Sequence, residues 1–223
     1  MSTATVPAAR QPTMSPVSKF GAQHSLRRLP VQERSAARVR RMLDAAADLI
    51  EEVGYDRLST TAIAQRADVA IGSVYQFFGD KRSLAEALSQ RYIDLYFERL
   101  GARFDAEPPE HWRAGVESAI TEYVHMYRTA PGFRVLHLAD AIDPGQADTV
   151  TTGGDVIAAQ IIGGLEQRFG HAGDDELRKT VTVAVETGQA LVRLAFRRDS
   201  EGDASAIEEA KRVVCDYLAR RVS

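Results

Sequence analysis

The chain has 223 residues, 44% hydrophobic and 26% charged, a balance that excludes wholesale disorder. Lys and Arg total 28 against 31 Asp and Glu, a net charge of -3. The ends differ, because residues 1–45 carry 8 basic and 2 acidic side chains while residues 101–223 carry 14 and 20. A positive head on a negative body suits a polyanion at one end only.

No run of about 18 apolar residues occurs, so no membrane span is expected. The first 30 residues lack the apolar core of a secretory signal. Cys215 is the only cysteine, which excludes an intramolecular disulfide and fits a reducing cytoplasm.

In chain order, residues 1–30 hold Pro7, Pro12, Pro16 and Pro30 among small polar residues and read as a disordered basic arm ending in Lys19, Arg27 and Arg28. Helical spacing then begins: Met42, Ala46, Leu49, Ile50 and Val53 share a face, and Gly54 is placed to end the run. Ser59 or Thr60 can cap a short helix that ends at Gln65 or Arg66, and a second short helix spans about 71–78. Asp80, after Gly79, can cap a long helix over about 81–104 with Leu84, Leu88, Ile93, Leu95 and Phe97 as its apolar positions. Beyond Pro108 and Pro109, a helix over about 111–129 carries Trp112, Val116, Ala119, Ile120, Tyr123 and Tyr127. Pro131-Gly132 ends it. A shorter helix with Phe133, Leu136 and Leu138 runs toward the stop Asp143-Pro144-Gly145, and three more helices occupy about 149–169, 174–198 and 204–222. No alternating β-branched run is bounded by turn signals, so the expected fold is all-α with nine helices. Residues 31–80 form one expected domain and 81–223 a second.

Residues 58–81 carry the most information. Two short helices joined by Ala67-Asp68-Val69 make a helix-turn-helix. The turn needs a left-handed residue, and Asp68 is a residue type that tolerates that conformation. Ile63, Ala64, Val69, Val74 and Phe78 can form its small core. The second helix would present Ile71, Gly72, Ser73, Tyr75 and Gln76 outward, a geometry suited to entering a major groove. Gln76 can bond a base edge, Ser73 a base or a phosphate, Ile71 can pack on a thymine methyl, and Tyr75 can reach a phosphate. Lys81 offers a phosphate clamp at the start of the long helix. Arg34, Arg38 and Arg41 make a basic stripe on the first helix, and Arg27 and Arg28 could enter a minor groove.

These segments resemble the tetracycline-repressor (TetR) family of transcription regulators over about residues 38–88. The resemblance rests on residues 42–55 (MLDAAADLIEEVGY), 59–64 (STTAIA) and 72–81 (GSVYQFFGDK). It implies DNA contacts at Thr60, Ile71, Ser73, Tyr75, Gln76 and Lys81. It also implies a homodimer on a near-palindromic operator and release by a small-molecule effector bound in the C-terminal domain. The chain departs from the pattern at Asp68, where glycine is usual, and at Ala70, where a Ser-like cap is common; the latter leaves a backbone donor at the start of the second helix without a cap.

The C-terminal half is read from pattern alone. Val181, Val185, Gly188, Val192 and Phe196, then Ile207, Ala210, Val214, Tyr217 and Leu218, make two apolar stripes that could close a four-helix bundle across a two-fold axis. The expected dimer interface is therefore Val181, Gly188, Val192, Phe196, Ile207, Val214, Tyr217 and Leu218. An effector pocket, largely apolar or aromatic, is expected among Tyr96, Trp112, Val116, Ile120, Tyr123, Phe133, His137, Val185 and Gln189.

Other chemistries find little support. Glu122 and His125 form a single Glu-x-x-His with no second copy, no Cys/His zinc spacing occurs, and no phosphate-loop or nucleophile-elbow motif is present. No enzyme activity, metal or cofactor is expected. The competing reading is an all-helical small-molecule-binding protein or enzyme with an incidental basic head.

Overall fold

The computed structural model describes residues 33–138, 153–170 and 173–222. Among them the chain forms nine helices and no strand, the all-α architecture expected from its patterning. The basic arm, with Arg27 and Arg28, and the stop at 143–145 lie outside the described residues.

The first helix, α1 (Glu33–Val53), is buried along most of its length. Met42, Ala46 and Ile50 are fully enclosed, and Leu43, Ala45, Ala47 and Leu49 are buried beside them. Its alanines let neighbouring elements approach on several sides. Helix α2 (Thr60–Arg66) is capped by Ser59, whose hydroxyl accepts from the Ala62 amide at 3.2 Å. Arg66 in its last turn makes a forked pair with Glu52 of α1 at 2.9 and 2.7 Å, and this bond holds the Glu52 carboxyl below the usual carboxylate range. Helix α3 (Ile71–Phe77) starts at Ala70 with no side-chain cap, as the sequence implied. Between α2 and α3, Asp68 takes φ 50, the left-handed slot expected of it. Ile63, Val74 and Phe78 are sealed between the three helices, with Val69 partly buried against them.

Helix α4 (Lys81–Ala106) is 26 residues long, about 39 Å at 1.5 Å per residue. Asp80 caps it, accepting from the Ser83 amide and hydroxyl at 2.7 and 2.9 Å, and these bonds lower the Asp80 pKa. Its first half buries Leu84, Ala85, Ala87 and Leu88, and it packs on α1; its second half belongs to the body. There it meets α5 (Trp112–Thr129) and α7 (Gly153–Phe169). The short α6 (Phe133–Leu138) packs on α1, α5 and α8 (Asp175–Arg198).

Helices α8 and α9 (Ala204–Leu218) form an antiparallel pair, with Gly188 set against Val214 and the turn at Gly202 held against Phe196 and Ile207. Helix α9 ends before the expected 222. The chain tightens into a turn in which the Arg221 amide bonds the Leu218 carbonyl, and this returns Val222 to the core. The α8–α9 seam takes up most of the stripe expected at a dimer interface. Val181, Gly188, Val192 and Phe196 of α8 and Ile207, Val214 and Leu218 of α9 are buried within one chain, and only Tyr217 remains partly accessible. Cys215, on the same helix, is 2% exposed, and burial raises its thiol pKa.

Candidate functional site

Two features of this architecture can bind something: the outer face of α3 and a cavity in the body. On α3, Val74 and Phe77 turn inward while Ile71, Gly72, Tyr75 and Gln76 are exposed and Ser73 is half-buried. The inward residues fix the helix against α2, and the outward ones are those the sequence assigned to a groove. Ile71 is 41% and Tyr75 48% exposed. The Tyr75 hydroxyl lies 3.1 Å from the Thr60 hydroxyl, so the first residue of α2 and the middle of α3 present a paired polar tip.

Lys81 stands at the first position of α4. Its ammonium donates to the Asp56 carbonyl at 3.2 Å and lies 4.9 Å over the Tyr55 ring. The lysine is thereby fixed against the α1–α2 link rather than left free. Arg38 is half-buried on α1 and Arg41 is exposed. Asp68 is also exposed, so its negative charge is not turned inward.

In the body, a cavity of about 900 Å³ opens between α4, α5, α7 and α8. Seven of the nine residues assigned to a pocket line it: Tyr96, Trp112, Val116, Ile120, Tyr123, Val185 and Gln189. Phe133 and His137 do not. They stack on each other at 4.0 Å in an aromatic cluster behind the cavity wall, where Phe133 meets Tyr92, Tyr123 and Tyr127 edge-on. Both rings sit on α6, which lies behind α5 as seen from the cavity. Burial lowers the His137 pKa against the opposing effect of the bond its ring donates to the Phe133 carbonyl, and Arg193 lowers it further.

The sequence placed the helix at about 149–169 beside the pocket but named no lining residue on it. Helix α7 contributes Val156, Ile157, Gln160, Ile161 and Leu165, and α4 adds Phe97, Leu100 and Phe104. A usable signal was present, since α7 carries apolar residues on more than one face, more than a single packing stripe requires. The polar groups of the wall are few. Gln160 and Gln189 are half-buried carboxamides, and the Tyr96 hydroxyl is committed to the Ala119 carbonyl at 3.1 Å. Of the two charged lining residues, Arg168 lies over the Phe104 ring and 3.9 Å from Asp105, and Asp155 is exposed.

The Glu-x-x-His pair does not converge. Glu122 is buried, 3.7 Å from Arg99, whereas His125 on the same helix is exposed. No cluster of metal-ligating side chains occurs among the described residues, and no helix among them is long and apolar enough to cross a membrane.

Comparison with known proteins agrees with both halves of this geometry. Residues 42–88 match the model for bacterial regulatory proteins of the tetR family, and residues 110–222 match a tetracyclin repressor-like C-terminal domain. A crystal structure of a TetR-family transcriptional regulator from Streptomyces coelicolor is similar at 44% identity and a TM-score of 0.72, over 83% of this chain and 99% of that one. The class A tetracycline repressor of Escherichia coli is 28% identical over 81% of this chain and 89% of its own length. The repressor KstR of Mycolicibacterium smegmatis is 36% identical over about a third of each chain, 33% and 34%. These relatives are DNA-binding regulators rather than enzymes, which sets aside the competing reading. An outward-facing α3 in the N-terminal helices, a hollow helical body and a family match to each place this chain in the TetR family of transcription regulators.

Proposed function

We propose that this chain represses transcription as a homodimer on a near-palindromic duplex and leaves it when an uncharged, largely apolar small molecule enters the cavity. One observation carries the reading. The exposed large hydrophobic residues among those described are Ile71, Tyr75 and Val183. Two stand on α3 and one on α8, the surfaces this function turns toward DNA and toward a second subunit.

Residues 31–80 then act as the reading head and 81–223 as the effector and dimer body, working in the cytoplasm. Ile71 meets a thymine methyl, Gln76 a base edge, and Gly72 lets α3 approach the groove floor. Ser73, Thr60, Tyr75, Lys81 and Arg38 hold phosphates, and the arm with Arg27 and Arg28 reaches the minor groove. The dimer face is the outer stripe of α8. Val183, Thr187, Ala190 and Leu194 follow helical spacing on the flank away from the cavity-lining residues, and Val213 and Tyr217 are partly exposed on α9. Two subunits joined there can set their α3 helices one DNA turn apart, about 34–36 Å.

The effector chemistry follows from the wall. An ionised group inside would lose hydration against Tyr, Phe, Val and Ile side chains, and among the described residues the charges on the wall are Asp155, which is exposed, and Arg168, which lies over the Phe104 ring. Gln160 and Gln189 offer donors and acceptors to a carbonyl or hydroxyl. A volume near 900 Å³ suits a drug-sized molecule.

The test is to select duplexes from a random pool with the full chain and to measure affinity across salt concentrations by fluorescence anisotropy. Gln76→Ala should lose about 1–3 kcal/mol of discrimination at one base position with the salt slope unchanged. Lys81→Ala, which removes one phosphate contact from each subunit of the dimer, should lower that slope by about 1.8. Binding that ignores salt, or a pool that enriches no sequence, overturns the reading.

A further inference from the structure

Helices α4 and α7 end together. Arg168 in the last turn of α7 lies 3.9 Å from Asp105 in the last turn of α4 and sits over the Phe104 ring. Two helices that pack side by side and finish at one contact run the same way. Gly101 stands five residues before Ala106 on α4, and Gly164 five before Phe169 on α7. Each is about 7.5 Å from its helix end, so the two fall at one level of the cavity wall, with Gly163 beside the second. A Cβ added to any of the three would meet nothing within 4 Å beyond its own helix. Gly188, also on the wall, differs, because its Cβ would stand 3.4 Å from Val214 and its small size serves the packing of α8 on α9. Glycine inside a helix is less stable than alanine, since its backbone loses more freedom on ordering. No contact within the chain requires that sacrifice at Gly101, Gly163 or Gly164, and the room they leave opens into the cavity.

The polar groups lie farther along. Gln160 is about 13.5 Å from the end of α7 and Gln189 about 21 Å from the start of α8, so both stand farther than Gly164 from the link that joins these helices. Neither carboxamide has a hydrogen-bond partner among the described residues. We propose that Gly101, Gly163 and Gly164 set the specificity of the cavity, and that its ligand is a neutral molecule of flat, fused rings carrying a carbonyl or hydroxyl where it meets Gln160 and Gln189. Side chains removed at one level from two adjoining walls widen a cavity rather than lengthen it. A fused-ring system fills that width, lying against bare helix backbone with Phe97, Phe104 and Trp112 among the aromatic walls beside it. A single alkyl chain leaves the width empty and forfeits the dispersion contacts on that side. The inference rests on the effector reading above and names the class of molecule.

Trp112 is the only tryptophan and lines the cavity, so its emission reports occupancy of the full chain without a label. Two neutral alcohols serve as probes: 1-pyrenemethanol, with four fused rings, and 1-dodecanol, a single chain. Gly101→Ala and Gly164→Ala should each raise Tm by about 1–4 °C, because the new methyl meets no atom. Combined, they should weaken 1-pyrenemethanol by about 10-fold or more, as overpacking of a filled site does, and move 1-dodecanol by less than about 2-fold. Gln160→Leu with Gln189→Leu should erase the preference for 1-pyrenemethanol over unsubstituted pyrene, about 2–10-fold for one neutral hydrogen bond. Equal weakening of both alcohols, or of neither, overturns the role of the glycines. So does a fall in Tm, since the added methyl would then be meeting the chain itself. A preference for the alcohol that survives both glutamine changes overturns the polar end. Unaltered protein that takes 1-dodecanol and refuses 1-pyrenemethanol overturns the fused-ring class and leaves the effector reading standing, whereas protein that takes neither removes both.

Discussion

Two glycines with the same backbone conformation offer a controlled measurement of how tightly α6 is pressed onto α1. Gly54 has φ 82 with nothing within 4 Å of an added Cβ, whereas Gly132 has φ 72 with the Ala47 carbonyl oxygen at 2.7 Å and the Ala47 Cα at 3.2 Å. Alanine at either site bears the left-handed penalty, about 1–2 kcal/mol. Gly54→Ala should bear only that. Gly132→Ala adds a clash with backbone that cannot swing aside, because Ala47 is buried in the middle of α1. Overpacking of that kind costs about 1–3 kcal/mol more. For a chain of this size each kcal/mol shifts Tm by about 2–4 °C. Gly132→Ala should therefore melt below Gly54→Ala by at least about 2 °C, and its urea midpoint should fall further at an unchanged slope. Equal midpoints, or a more stable Gly132→Ala protein, would refute the claim that this junction is a tight backbone contact.

Two further outcomes follow from the body. The folded-state pKa of His137 lies below the ordinary 6.5, so the unfolded chain binds the extra proton first. Its contribution is fully present above pH 6.5 and is lost as pH falls through the lower folded value; His137→Phe should flatten the stability-against-pH curve below pH 6.5 in urea titrations. On α8, Val183→Glu should leave a folded monomer in sedimentation, whereas Val192→Ala should stay dimeric and lose about 1–3 kcal/mol of stability. A Val183→Glu protein that remains dimeric at every concentration would remove that stripe from the interface.

The reading head was legible in the sequence because its determinants are local. The Ser59 and Asp80 caps, the left-handed Asp68, and the contrast of inward Val74 and Phe78 with outward Ile71 and Tyr75 each depend on a few neighbouring residues. Helix α8 was not legible in the same way. Small and apolar residues occur on both of its flanks, Val181, Gly188 and Val192 on one and Val183, Ala190 and Leu194 on the other. Periodicity shows that each flank packs on something, and only the folded chain shows that α9 of the same subunit takes the first. Phe133 and His137 failed as pocket residues for a related reason. An aromatic residue near a cavity and an aromatic residue behind its wall have the same sequence signature, and the short α6 decides between them.

The lone thiol of Cys215 has a practical consequence. It lies under α9, close to the Arg113–Asp216 contact between α5 and α9, and is both shielded and protonated at neutral pH. A thiol reagent can react only when that helix lifts away, so labelling kinetics on the unmodified protein would clock the opening of its C-terminal helix against the rest of the body.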